Sequence, residues 1–248
     1  MIYFQAPIVI LSVFNEKLPW IEIFQYINGF CFLYYKLSLQ RGGDKLSVFI
    51  LAGGESSRMK DGDKPHMNFY QDKTLLEFIL ERFLSQHEVY IVAKNKNNFT
   101  SYKAEVLEDE LDAGPLGGMY TGLKYSCQEK NFFMACDMPF FPCMLADWML
   151  EKAEQDILIP REEGGWLEPL AAVYNKSCLS AIEETIEKGE KKIIKFFSRV
   201  NVEHISKKKL KKYADFSHVF YNVNTREDWA QAKNRILSEY LEKFEKGV

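Results

Sequence analysis

The stretch Leu46-Ser-Val-Phe-Ile-Leu-Ala-Gly-Gly-Glu-Ser-Ser-Arg-Met-Lys-Asp-Gly-Asp-Lys64 decides how the chain is to be read. Its opening run, Leu46–Leu51, is almost wholly apolar, short, and stopped by a glycine pair, the pattern of a buried strand rather than a helix. Glycines let backbone N–H groups approach a polyphosphate closely, and Arg58 and Lys64 follow at a distance where two cations can neutralise it. A lone Arg and Lys in a loop are usually surface charges; behind Gly53-Gly54 they look more like phosphate clamps. The spacing is neither a Gly-Lys-Ser/Thr phosphate loop nor Gly-x-Gly-x-x-Gly.

Outward from this segment the pattern alternates strand and helix, which predicts an α/β fold with a mostly parallel sheet. Thr74–Ser85 carries a helical stripe at Leu75, Leu76, Phe78, Ile79, Phe83 and Leu84. Strands are expected over Glu88–Ala93, Ala104–Leu107, Asn131–Cys136, Asp156–Pro160 and Leu170–Tyr174, with an edge strand at Val202–Ile205. Helices are expected from Gly114 through Ser126, over Leu145–Ala153, through Ile182 and Ile186, over Lys191–Arg199, and finally over Glu227–Glu245. Pro115 suits the first turn of its helix.

Three of these strands end at polar features: Leu51 at the glycine loop, Leu107 before Asp109, and Cys136 at Asp137. The carboxyl ends of parallel strands share one edge, and ligands bind there where the strand order switches. Asp137 follows a buried strand and precedes Met138-Pro139, whose proline holds the preceding backbone extended. A carboxylate so placed can hold Mg²⁺, or it can cap a turn. The acidic cluster Glu105, Glu108, Asp109, Glu110 and Asp112 reads, on its own, as a solvated loop. Lys207-Lys-Lys-Leu-Lys-Lys212, with Lys191, Lys192 and Lys195, reads as a solvated charged face or as an attractor for an anionic acceptor.

A chain of 248 residues fits one α/β domain with an extension. Thirty-two cationic against 35 anionic side chains, net −3, argue against nucleic acid as the partner. The five cysteines, Cys31, Cys127, Cys136, Cys143 and Cys178, contain no Cys-x-x-Cys pair, so reduced cysteines in a cytoplasmic protein are expected. His66, His87, His204 and His218 show no ligand spacing. Residues 1–45 stand apart as a hydrophobic extension. Asn15, Glu16, Lys17, Pro19, Glu22 and Asn28 interrupt every window of the ~20 apolar residues that a membrane span needs, so membrane contact is not expected. A non-functional extension, a mistaken translation start or a packed extra element remain open for 1–45; residues 46–248 are expected to form a single domain.

The string Leu51-Ala-Gly-Gly-x-Ser-x-Arg58-Met with Asp63-Lys64 resembles the nucleotide loop of the nucleotidyltransferases, and most closely that of the molybdenum cofactor guanylyltransferases. Cys136-Asp137-Met138-Pro139, Gly114-Pro-Leu-Gly-Gly118, Glu168-Pro-Leu-Ala-Ala-Val-Tyr174 and Asn222-Val-Asn224-Thr are similar to further motifs of that family, over roughly residues 46–235. The resemblance implies a Rossmann-like three-layer α/β/α sandwich of the nucleotide-diphospho-sugar transferase type. It implies Mg²⁺-dependent transfer of GMP from GTP to molybdenum-molybdopterin, with molybdoenzymes or cofactor-delivery proteins as partners. Carried over residue by residue, it gives Leu51, Ala52, Gly53, Gly54 and Lys64 to the nucleotide and Asp109 and Gly118 to the guanosine. It gives Asn222 and Asn224 to the pterin side, Arg58, Lys64 and Asp137 to catalysis, and Asp137 to the metal. Two departures stand out: Lys60 replaces a usual glycine, and Ala93 stands where many relatives carry a base-contacting Asn, with Asn95 two residues on. A cytidylyltransferase or sugar-phosphate nucleotidyltransferase of the same fold is the nearest alternative. A non-catalytic nucleotide-binding adaptor is the alternative of another class.

Overall fold

A computed structural model describes residues 46–52 and 64–244, together with the backbone of three strands nearer the N-terminus. Gly53, Gly54, Arg58 and Lys60 lie outside the described residues. The chain divides into two compact units, residues 1–44 with 247–248 and residues 45–246. In the first, Val9–Ile10, Trp20–Ile27 and Phe30–Ser38 pair antiparallel in that order. No helix among the described residues is long and apolar enough to cross a membrane.

The second unit is built on a seven-stranded sheet. Its strands are β1 (Ser47–Leu51), β2 (Glu88–Ala93), β3 (Glu105–Glu108), β4 (Lys130–Ala135), β5 (Ile157–Arg161), β6 (Ala171–Asn175) and β7 (Val202–Ser206). They lie in the order β7-β5-β6-β4-β1-β2-β3. Every neighbouring pair is parallel except those made by β6, which runs against both β4 and β5. The chain builds outward from β1 through β2 to β3, then returns to lay β4 on the other side of β1. The switch in strand order therefore falls between β1 and β4, where Leu51 pairs with Ala135.

The alternation of side chains along β1 explains why helices cover both faces. Val48 and Ile50 face a core with α1 (Leu75–Leu84) and α3 (Cys143–Lys152); Phe49 and Leu51 face another with α2 (Pro115–Tyr125) and α4 (Leu179–Glu187). Helix α1 starts at a capping box, the Thr74 hydroxyl accepting from Glu77 N at 3.2 Å while Thr74 N donates to the Glu77 carboxylate at 2.7 Å. Helix α2 comes unusually close to the sheet at Gly122, where a Cβ would stand 2.8 Å from the Phe133 ring and 2.9 Å from the Phe49 ring. Those two rings are stacked with centroids 4.8 Å apart, so only a residue without a side chain lets the helix settle on them.

The expected elements are present with ends shifted by one or two residues, and four features differ. The Lys-rich run forms helix α5 (Lys207–Tyr213) with Lys207 and Leu210 buried, because Leu210 and the apolar stem of Lys207 have a core to enter. The terminal helix is divided into α6 (Arg226–Gln231), a wider-wound turn at Ala232–Ile236, and α7 (Leu237–Phe244). Phe220–Thr225 is not a strand; Val223 N donates to Asp137 O at 2.9 Å instead of joining a sheet ladder. Asn68–Tyr70 and Lys73–Thr74 form a small antiparallel hairpin whose turn takes Gln71 through φ 50°.

Candidate active site

Four chain segments meet at the exit edge of the sheet around the β1–β4 switch. Leu51 O accepts from Cys136 N at 3.2 Å, and Ala52 N donates to Val92 O at 2.9 Å, so the ladder runs to the lip of the glycine segment. Leu51 and Ala52 are themselves buried in the two cores and set where that segment begins.

Lys64 sits on a short 3₁₀ turn, Lys64–His66, anchored by the buried Pro65, whose carbonyl accepts from the Tyr102 hydroxyl at 3.4 Å. From there Lys64 Nζ stands 3.7 Å from Asp137 Oδ2 and donates to Asn224 Oδ1 at 3.3 Å. The side chains of Lys64 and Asp137 are 12% and 23% exposed, so this pair is screened far less than a surface pair. Burial pushes the Asp137 carboxyl above the ordinary range, and the neighbouring Lys64 ammonium only partly offsets that. Asp137 Oδ1 is buried with no hydrogen-bond partner among the described residues. A hard, poorly solvated carboxylate oxygen left in this way is a donor that Mg²⁺ accepts.

Asn224 is placed by helix capping. Thr225 is the N-cap of α6, its hydroxyl accepting from Asp228 N at 3.1 Å, while Asn224 N and Thr225 N donate to Asp228 Oδ2 at 3.0 and 2.8 Å. Those contacts hold the Asp228 carboxyl below its usual range even though desolvation alone would raise it. Capping and presentation of Asn224 toward Lys64 are thus both met in one turn. Asn222 is half-buried in the same segment.

Asp109 lies further along the edge. Its N–H donates to Ala93 O at 2.8 Å, and its Oδ1 accepts from Leu111 N at 3.0 Å. It is buried, which raises its pKa against the opposing effects of the Leu111 hydrogen bond and the Lys94 charge. The solvated-loop reading of the acidic cluster therefore fails for this member. Its carboxylate rests on α2, where a Cβ at Gly117 would lie 3.0 Å from both oxygens. Gly118 faces the other way, its Cα against Leu51 and Val92. Asp137, Ala52 and Asp109 follow strands β4, β1 and β3, and Ala93 ends β2; these strands are successive neighbours. Three interstrand spacings separate the ends of that row, roughly 14 Å.

Ala93 is buried, and the Asn95 side chain is engaged locally, accepting from Asn97 N at 3.1 Å to cap a 3₁₀ turn. Two contacts were not foreseen from sequence. Lys207 Nζ lies 3.0 Å from Glu168 and 3.5 Å from Glu162, with the Phe220 ring 4.9 Å below it. Burial raises the Glu168 carboxyl, the Lys207 charge lowers it, and the charge of Asp137 adds to the raising. Lys191 and Lys195 are surface-paired with Asp112 at 2.9 Å and Glu190 at 3.5 Å.

A lysine and a half-buried aspartate meet at a strand-order switch, an arrangement that suits a nucleotidyltransferase. The comparisons agree. Residues 48–205 match the model of the MobA-like NTP transferase domain. A probable molybdenum cofactor guanylyltransferase of Pelotomaculum thermopropionicum is 35% identical over 201 residues, 77% of this chain and 92% of that protein. The molybdenum cofactor guanylyltransferase of Desulfosudis oleivorans is 30% identical, over 78% of this chain and 96% of its own length. The crystal structure of molybdopterin-guanine dinucleotide biosynthesis protein A from Archaeoglobus fulgidus superposes with a TM-score of 0.69 and 28% identity, covering 78% of this chain and all of that one. The chain belongs to the MobA-like NTP transferase family and is a nucleotidyltransferase.

Proposed function

We propose that this enzyme transfers GMP from GTP to the phosphate of molybdenum-molybdopterin, releasing pyrophosphate. The observation that carries the reading is the meeting of Lys64 and Asp137 at the switch point. Residues 46–248 carry the activity, and the pterin side is formed by Asn222 and Asn224. The curated relatives' names support the choice of guanylyl group and acceptor.

The acceptor is a phosphate monoester whose second pKa is about 6, so at neutral pH it is already largely ionised and needs no base to remove a proton. What the chain must supply is in-line positioning and neutralisation of negative charge at the α-phosphate and the leaving pyrophosphate. Lys64 donates to phosphate oxygens from a turn already anchored by Pro65, so little side-chain order is lost on binding. Arg58 contributes a second cation from the loop. Asp109, roughly three strand spacings from Asp137, accepts from guanine, whose ring N1–H and exocyclic amine form a pair of adjacent donors that cytosine, with an acceptor N3 beside its amine, does not present.

Asp137 Oδ1 is the oxygen that would hold Mg²⁺. When bound, that ion would supply positive charge to offset the negative charge that develops on the leaving group. Until a cation arrives, the carboxylate is held close to Lys64 in a poorly solvated position, pre-paid in folding and ready for a positive ligand.

Pyrophosphate release by the full chain with Mg²⁺, molybdopterin and each of GTP, CTP, ATP and UTP tests the assignment. Turnover confined to GTP supports it. Preference for CTP would move the enzyme to the cytidylyltransferases, and tight GTP binding without turnover would make it an adaptor.

A further inference from the structure

We propose that His87, Cys143 and Asp147 form a second cation site, distinct from the nucleotide edge and suited to a zinc-type divalent transition metal. His87 lies in the turn between α1 and β2, its N–H bonded to Phe83 O at 2.9 Å. Cys143 opens α3 and Asp147 follows one turn later, so both project from the same helix face. One donor atom from each of the three falls within 4.8 Å of the others. No short motif links them in sequence; the packing of α3 against the α1–β2 turn brings them together.

The polar groups at this place lack partners. Both ring nitrogens of His87 and Asp147 Oδ1 are buried without a hydrogen bond among the described residues. Nε2 and Oδ1 are 2.7 Å apart, yet the ring N–H is too poorly aligned with the oxygen for a hydrogen bond. His87 is only 7% exposed, its Nε2 meets only the Asp147 carboxylate and its Nδ1 has no hydrogen-bond partner among the described residues, which is rare for a buried imidazole. A cation between these groups satisfies a nitrogen, a sulfur and an oxygen at once.

The donor set selects the ion. An imidazole, a thiolate and a carboxylate suit Zn²⁺ or Co²⁺, whereas Mg²⁺ requires oxygen donors. Three protein ligands leave a fourth position, and Asp147, whose side chain is 35% exposed, opens it toward solvent. A nucleophilic role for Cys143 fits less well, since burial and the Asp147 charge push its thiol well up, away from the reactive thiolate. Arg82 is a cation that acts on Cys143; its guanidinium donates to Phe78 O and, at 2.6 Å, to Pro139 O. Its charge balances a bound thiolate and carboxylate and moderates the affinity. A metal here would fasten the α1–β2 turn to the head of α3, only six positions after Asp137 in the chain. Its role is to brace that end of the loop, not to take part in transfer.

The test is titration of the metal-free full chain with Co²⁺, followed by absorption. One equivalent giving a thiolate-to-cobalt charge-transfer band, displaced by Zn²⁺ and lost in Cys143→Ser and His87→Gln, is the expected result. Zn²⁺ should also raise the melting temperature of the wild type and not of Asp147→Asn, whereas Mg²⁺ should give no band and shift both proteins alike. Absence of both the band and the Zn²⁺ shift in the wild type overturns the proposal, whether or not the variants fold. So does a band that survives in Cys143→Ser, since another thiol would then be the ligand.

Discussion

Gly117→Ala is the sharpest probe of the Asp109 end of the site. The new Cβ would lie 3.0 Å from both Asp109 oxygens and 3.2 Å from Leu111 Cβ, closer than ordinary contact. Asp109 cannot move as a unit, because its N–H is held by Ala93 O at 2.8 Å and its Oδ1 by Leu111 N at 3.0 Å. The carboxylate must therefore turn aside by roughly a few tenths of an ångström. For the fold, the helix-propensity gain of about 1 kcal/mol from replacing glycine offsets a comparable packing strain. The melting temperature should thus move by no more than about 3 °C. For nucleotide binding, a hydrogen bond to a charged group contributes about 1.5–3 kcal/mol, and misplacing it should lose about 1 kcal/mol. That is about a fivefold rise in KM for GTP, with kcat changed less than about twofold because the phosphates are untouched. Steady-state pyrophosphate release and thermal melting on the same preparation read both quantities. An unaltered KM alongside an unaltered melting temperature would refute Asp109 as a base contact.

Asp137→Asn should abolish turnover while raising the melting temperature at neutral pH. A carboxyl whose folded pKa is raised by burial stabilises the fold below its unfolded value, and that contribution is lost as pH rises through the raised value. The gain from the amide should accordingly fade as the pH is lowered into the ordinary carboxylate range; a variant that melts lower than wild type at pH 7 and has residual turnover contradicts both parts. Gly122→Ala should destabilise by about 1–2 kcal/mol net, since a Cβ 2.8 and 2.9 Å from two stacked rings outweighs the propensity gain, lowering the melting temperature by roughly 2–8 °C. Gly53→Ala, in the segment outside the described residues, should weaken GTP far more than CTP if the missing methyl makes room for a purine; equal losses in binding measurements count against that idea. Lys64→Ala should lower kcat/KM for GTP by about 100-fold or more, consistent with one charge-assisted phosphate contact, and a loss below about threefold would remove Lys64 from the site.

The sheet was legible because its strands are short apolar runs closed by turn chemistry, and Glu88–Ala93 matches to the residue. Lys64 and Asp137, 73 positions apart, could be placed together because parallel strands discharge their loops at one edge. What escaped was information that resides in packing. The Lys207 run looks solvated in one dimension, and only the fold shows a carboxylate pair and the Phe220 ring waiting for its first lysine. Asp109 hides within an acidic cluster whose other members are not buried, and its burial depends on Gly117 presenting no side chain. The direction of β6 is likewise set by its neighbours, since an apolar strand carries no mark of which way it runs.

That reversal of β6 has a consequence for how such an enzyme can change its acceptor. A parallel crossover must travel back to the far end of the sheet before the next strand begins, but the link from β5 to β6 turns round without leaving the rim. Glu168 N still bonds Pro160 O at 2.9 Å and Leu170 O accepts from Ala135 N at 3.0 Å, so the link is stitched at its root. Residues 162–167, including the 79% exposed Trp166, form the turn at that rim, closed by Glu162 N donating to Trp166 O at 2.8 Å. Length and composition can drift there without disturbing β1, β2 or β3, which lie beyond β4 in the sheet. The topology thus separates a rim that is free to diversify from the strands on the far side of β4.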